Sequence, residues 1–269
     1  MKEDEDTIQS LGLQGFNRLK RCRYGLMLYN PNDRFVGRAL DLYGEFSEGE
    51  VQLFRQTVKP GQVVLDVGAN IGTHTLFFAH AVGSRGVVIA FEPQRLLFQT
   101  LCANMALNSI TNVICRNNGV GEDSGIIRVP ALDPEKVQNF GGLSLRGQTE
   151  GEPVERIAID GLDLKRCHFM KIDVEGMEIP VVTGAKETIL RHRPTLYVED
   201  DRKEYSDDLI RLISSLRYRL YSHHPPLFNP DNVVGNLTNV YSDIISENIL
   251  CLPEESLVRV PHLPPVEVP

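Results

Sequence analysis

No stretch of the 269-residue chain is rich in lysine or arginine, and the formal charge is −8. A sustained attraction to polyphosphate backbones or anionic lipid has no source here, so neither nucleic acid nor a membrane surface is an expected partner. No apolar run approaches membrane-spanning length. The chain starts Met-Lys-Glu-Asp-Glu-Asp, acidic where a signal peptide is basic and then apolar, and a cytoplasmic location is expected. Cysteine is sparse: Cys22, Cys102, Cys115, Cys167 and Cys251 are odd in number, widely spaced and without a C-x-x-C pair. Neither a disulfide framework nor a zinc site is suggested, and the thiols are expected to be reduced and mostly buried. What is present, 42% hydrophobic and 24% charged residues, suits a soluble globular domain with a substantial core.

Three regions follow from the patterning: an N-terminal segment over 1–60 that would cover the site, a main domain over 61–254 and a Pro-rich tail over 255–269. Up to about Lys20, Ile8, Leu11, Phe16 and Leu19 give the loose spacing of a short helix. Tyr24 to Tyr29 is β-prone and closed by Asn-Pro-Asn-Asp, with Phe35 to Tyr43 the expected return strand of a hairpin. Ser47-Glu48-Gly49-Glu50 has the form of a capping box ahead of a helix carrying Val51, Phe54 and Val58. From Gln62 onward, short apolar strands alternate with amphipathic helices, as in parallel βαβ units. The expected strands are Val63 to Val67, Val87 to Phe91, Val113 to Arg116, Phe169 to Asp173, Thr195 to Val198, Leu220 to His223 and Ile249 to Leu252. Helices are expected over Thr73 to Ala81, Gln94 to Leu107, Ile179 to Arg191 and Ser206 to Leu216. A polar insertion between the third and fourth strands carries a further strand pair, Ile126 to Val129 and Arg156 to Ile159, and would border a substrate site. Pro261 to Pro269 is expected to be disordered or extended.

Val64-Leu-Asp-Val-Gly-Ala-Asn-Ile-Gly72 runs from a buried strand into a Gly loop and then a helix, the context that makes a Gly pattern a nucleotide-site candidate. Gly68 and Gly72 let the backbone approach a ligand at the strand ends. A dinucleotide normally requires a second glycine where this chain has Asn70. Asp66 suits a cationic ligand better than a pyrophosphate. Glu92, in Phe91-Glu92-Pro93, follows at about the twenty-residue spacing from which a carboxylate reaches a ribose diol.

These segments, with Lys171-Ile-Asp-Val-Glu-Gly176, Gly184-Ala185 and the closing Asn248-Ile-Leu-Cys-Leu-Pro253, resemble the FkbM-type methyltransferases over roughly residues 43–253. The resemblance implies an α/β, Rossmann-like class I methyltransferase fold with a mostly parallel seven-stranded sheet and helices on both faces. It also implies S-adenosylmethionine as cofactor, with O-methylation the usual activity and a small-molecule or sugar acceptor. One segment departs from the family: Asn118-Gly-Val-Gly-Glu-Asp123 stands where relatives commonly carry Ala-Leu-x-Asp, the place of an adenine contact.

Methyl transfer from a sulfonium is an in-line displacement that rests on positioning, and an alcohol nucleophile must also lose its proton. Asp173 and Glu175, at the carboxyl end of the fourth strand, are the candidate catalytic pair; two apart in an extended segment, they would share a face. They are also potential ligands of a divalent ion, though no clear third ligand accompanies them and no metal residue is assigned. Lys171 is a candidate ion-pair partner for either acid. His74, Glu199, Asp160 and the loop after His223 are weaker candidates. The cofactor-binding set is Asp66, Gly68, Asn70, Gly72 and Glu92. The rival readings are a nicotinamide-dependent dehydrogenase, against which Asn70 argues, and a cofactor-binding module without catalysis.

Overall fold

A computed structural model describes residues 15–269. Of the helix expected up to about Lys20, residues 1–14 lie outside the described residues, and the remainder enters a strand. That strand, β1 (Arg18–Cys22), pairs antiparallel with β2 (Gly25–Tyr29), so the hairpin forms with the preceding residues rather than with Phe35 to Tyr43. The latter stretch is helix α1 (Val36–Tyr43). Its buried residues Val36, Ala39, Leu40 and Tyr43 stand at i, i+3, i+4 and i+7, a helical period that a run of eight mixed residues disguises. Helix α2 (Glu48–Thr57) follows, but no capping box forms. Ser47 is left-handed with φ 47° and makes no side-chain cap bond.

The main sheet is built from β3 (Val63–Val67), α3 (Thr73–Val82), β4 (Val87–Phe91), α4 (Arg95–Leu107) and β5 (Val113–Arg116) on one side. The insertion then forms a small sheet of β6 (Gly119–Val120), β7 (Gly125–Val129) and β8 (Glu152–Ile157). The chain returns through β9 (Phe169–Ile172), α5 (Glu178–Thr183), α6 (Lys186–His192), β10 (Thr195–Glu199), α7 (Lys203–Ser215), β11 (Tyr218–His223) and β12 (Asn248–Pro253). Strand order is β11-β12-β10-β9-β3-β4-β5, with β12 antiparallel to both its neighbours and the rest running one way. The single helix expected over Ile179 to Arg191 is broken in two at Gly184-Ala185. A side chain at Gly184 would collide with the Gly121 carbonyl of the insertion, so the chain must turn there without one.

Both sheet faces are covered, which is why the central strands are apolar apart from Asp66 in β3 and Lys171 in β9, two buried charges that face each other. Leu65, Met170 and Leu196 pack with α5, α6 and α7, while Val64, Phe169 and Tyr197 pack with α2 and α3. The tail is extended rather than disordered: Ser222 and Val266 exchange backbone hydrogen bonds of 2.9 Å with Pro264 and Leu220, and Val260 and Leu263 are buried. Such an outermost position tolerates residues that lack an N–H. The chain crosses from one side of the sheet to the other between β3 and β9, and at such a switch point the strand ends open a crevice.

Candidate active site

A cavity of about 1150 Å³ lies beyond the carboxyl ends of β3, β4, β9 and β10. Phe35, Val36, Phe46 and Glu50 from the N-terminal segment wall one side, and the insertion contributes Ile127, Arg128, Gly141, Arg146 and Arg156. Its first feature is the loop after β3, where Gly68, Asn70 and Gly72 all have positive φ, at 81°, 52° and 89°. At Gly68 the glycine is required twice over, since a Cβ would also strike the carbonyl oxygen of Asp173. Gly72 serves packing: it starts α3 with a Cβ position facing Leu101, and it is not part of the cavity wall.

Glu92 joins β4 to this loop. Its buried carboxylate accepts N–H bonds from Asn70 at 2.9 Å and from Gln94 at 2.8 Å. Burial pushes its pKa up to about 7 despite those two donors. The carboxylate lines the cavity, and with roughly four lone-pair positions it keeps about two for a ligand.

Asp66 is placed differently from the expected ligand contact. It is fully buried beneath the loop and does not line the cavity. One oxygen accepts the Thr75 hydroxyl at 2.6 Å, and the other lies 3.6 Å from the Lys171 ammonium. Lys171, itself buried, also donates to Asp173 at 2.9 Å and to the Gly68 carbonyl at 3.3 Å. The neighbouring carboxylates of Asp173 and Asp66 outweigh its desolvation and hold the ammonium charged.

Asp173 and Glu175 both line the cavity. They converge by a route other than strand alternation, because Glu175 is left-handed with φ 56° and Gly176 follows at φ 95°. Glu178 fixes this turn by accepting the N–H groups of Val174 and Gly176 at 3.0 and 3.2 Å. Arg202 pairs with Glu175 at 2.6 Å. Burial, followed by the charge of Asp173, raises Glu175 to about 7. Glu199, at the end of β10, joins them: ligand oxygens of Asp173, Glu175 and Glu199 lie within 4.8 Å of one another. Burial first, then the charges of Asp173 and Glu175, pushes Glu199 well above the usual carboxylate range.

Among the weaker candidates, His74 lies on the cavity wall, edge-on to Phe54 at 5.4 Å and 3.6 Å from Glu50. Burial lowers its pKa to about 3, so its imidazole is neutral. Asp160 is no rim group: it accepts the N–H groups of Glu187 and Thr188 and caps α6. His223 bonds Tyr197 at 2.8 Å, and farther along that loop Leu227 and Ile244 reach the cavity. Asn118, in the departing segment, lines the cavity while bonding Glu155 at 3.0 Å. Glu50, Glu178 and Arg202 carry no local sequence signal for these roles, since each meets its partners only through the fold.

A mostly parallel seven-stranded sheet with this Gly loop after its first strand, an acidic residue following its second and one antiparallel strand near the edge is the class I methyltransferase fold. The chain matches the methyltransferase FkbM domain over residues 66–220, more than half its length, and belongs to that family. It is 30% identical over 154 residues to the hexuronic acid methyltransferase AglP of Haloferax volcanii, covering 55% of this chain and 59% of that protein. It is 25% identical over 143 residues to Methyltransferase 1 of Beauveria bassiana, covering 45% of this chain and 57% of that one. In fold it is similar to the crystal structure of methyltransferase FkbM from Methylobacillus flagellatus, with TM-score 0.50, 20% identity, and coverage of 74% of this chain and 50% of that one. The chain thus spans less than two thirds of the length of each of these relatives. Among the described residues no helix is long and apolar enough to cross a membrane.

Proposed function

We propose that this chain transfers a methyl group from S-adenosylmethionine to a hydroxyl oxygen of a small molecule or sugar. The observation that carries the reading is the placement of two acidic stations on one cavity: Glu92 at the end of β4 and the Asp173–Glu175 pair after β9, with the Gly68–Gly72 loop between them. At about 1150 Å³ the cavity exceeds the ~300–1,000 Å³ common for a single small-molecule site, which suits a cofactor and an acceptor side by side. When bound, S-adenosylmethionine supplies an electrophilic methyl carbon on a sulfonium. Glu92 offers its remaining lone pairs to a ribose diol, and Gly68 and Asn70 shape the loop beside it. Asp66 acts as a positioning residue, holding Thr75 and Lys171 beneath the loop. Asp173 and Glu175 orient the acceptor hydroxyl, and one of them takes its proton. The likeness to a hexuronic acid methyltransferase favours sugars, uronic acids among them, in the acceptor screen.

Calorimetry tests the cofactor assignment. S-adenosylmethionine and S-adenosylhomocysteine are expected to bind and NAD is not; the reverse preference overturns the reading in favour of a dehydrogenase. A folded chain that binds the cofactor yet labels nothing in a broad hydroxyl-acceptor screen would instead point to a binding module.

Glu92 gives a second test. Removing charge-assisted hydrogen bonds worth roughly 1.5–3 kcal/mol, Glu92→Ala is expected to weaken S-adenosylhomocysteine binding about 10–100-fold. A pH dependence accompanies it. The free protein holds Glu92 partly protonated because its pKa is raised to about 7, while ribose hydroxyls donate to the ionised form. Below pH 7 binding must expel that proton, so affinity is expected to fall toward about tenfold per pH unit. Above pH 7 it levels off. Titrations between pH 5.5 and 8.5 check this, and a slope that persists in Glu92→Gln would assign it to another group.

A further inference from the structure

We infer that Asp173, Glu175 and Glu199 form a binding site for one divalent cation of the magnesium, manganese or calcium kind, facing the acceptor half of the cavity. The inference rests on the methyltransferase reading for its purpose but not for its test. Asp173 and Glu175 follow β9 and Glu199 ends β10, neighbouring strands whose carboxyl ends are held level by the Tyr197–Lys171 and Val198–Ile172 pairings. Their ligand oxygens lie within 4.8 Å of one another. Oxygens sharing a hard cation at about 2.0–2.6 Å stand no farther apart than about 4–5 Å, so the spread matches without moving a strand.

Acidic clusters are common without an ion, and a separate observation distinguishes this one. Glu199 carries a buried carboxylate oxygen, Oε2, that finds no hydrogen-bond partner, and this side chain lies against the cavity among the other two acids. A buried oxygen without a donor costs about 1–3 kcal/mol, more when charged, so such a group is expected to have a partner when the site is filled. The two nearby side-chain cations do not supply it. Lys171 takes one oxygen of Asp173 and Arg202 one oxygen of Glu175, which leaves each of these acids a second oxygen outside the ion pair. Lys171 is shared with Asp66, and Arg202 with Asp201. Five acidic side chains therefore surround two cations, and Glu199 is the one that neither cation pairs, so a bound ion would take the place of its carboxyl proton.

An all-oxygen ligand set selects hard divalent ions over zinc or copper. Three protein oxygens leave part of the coordination sphere open toward the cavity, filled by water until neighbouring hydroxyls of an acceptor replace it. A sugar or polyol with a vicinal diol fits that geometry. The cation would also add positive charge where a hydroxyl loses its proton.

The full-length chain titrated with Mn²⁺, read by electron paramagnetic resonance and water-proton relaxation, tests the site. One Mn²⁺ per chain is expected, with enhanced relaxation from coordinated water, and competition by Mg²⁺ or Ca²⁺. Glu199→Gln is expected to weaken Mn²⁺ binding at least tenfold while thermal melting shows a folded chain. Asp163→Asn, an exposed acid remote from the cavity, should leave it unchanged. Absence of Mn²⁺ binding up to about 10 mM, or binding that Glu199→Gln does not alter, overturns the site. S-adenosylhomocysteine affinity is measured on the same samples. Its retention without Mn²⁺ binding sinks the cation site alone, and its loss with Mn²⁺ binding intact sinks the methyltransferase reading alone.

Discussion

Replacing Asp173 by Asn or Glu175 by Gln is expected to lower turnover by about 10²–10⁴-fold for the group that takes the acceptor proton, the range of a positioned proton transfer. The other amide should have a smaller effect through orientation. Both residues sit at the mouth of the strand ends, with side chains 36% and 20% exposed, so neither holds up the core. Their folding cost is correspondingly small. Each amide also cuts one ion pair, Lys171 to Asp173 or Arg202 to Glu175, and leaves the other intact, which keeps the two variants distinguishable. S-adenosylhomocysteine affinity should stay near that of the unaltered protein, because Glu92 and the loop after β3 are untouched. The measurements are turnover with an acceptor found by labelled-cofactor screening, cofactor titration and thermal melting. Two folded, fully active amide variants would remove the pair from the chemistry. Activity restored to either amide by excess divalent cation would show that the carboxylate works through a bound ion.

The strands that make up the sheet were legible because covering both faces leaves a short, largely apolar run bounded by polar turns, without exception at Val87 to Phe91 and with one charge each at Val63 to Val67 and Phe169 to Ile172. The loop after β3 was legible for a related reason: strand, Gly68-to-Gly72 turn and helix are consecutive, so their geometry is written locally. Phe35 to Tyr43 misled because an apolar stretch of that length satisfies period two and period 3.6 alike, and burial against the C-terminal loop decides. Ser47 to Glu50 matched a local motif that a left-handed Ser47 cannot form, and Glu50 turns instead toward Asn248. The site's electrostatics were the least legible part. Asp66 was expected at the ligand, but a carboxylate placed one residue before the strand's end points beneath the loop, where Thr75 and Lys171 meet it. Arg202 and Glu199 reach Glu175 only through the β9–β10 pairing, more than twenty residues away in sequence.

Lys171→Met is expected to be the most destabilising single change at the site, by about 3–5 kcal/mol, because it strands a buried carboxylate instead of removing a surface charge. Lys171 is 3% exposed and Asp66 is not exposed at all, so water cannot replace the lost ammonium. The same ammonium bonds Gly68 and Asp173, so it ties the ends of β3 and β9 together directly beneath the cavity. Methionine fills similar volume, which keeps a cavity term out of the comparison. If the cost is mainly the unpaired Asp66, then Asp66→Asn in the Lys171→Met background should recover a large part of it, since asparagine can still accept the Thr75 hydroxyl without a charge. Denaturant unfolding of the two single variants and the double variant closes a cycle, with a coupling of about 0.5–3 kcal/mol expected for residues in one buried network. Unchanged m-values would keep the comparison two-state. An additive cycle would assign the loss to packing of the lysine stem, and would leave Asp66 with its Thr75 contact as its whole structural role.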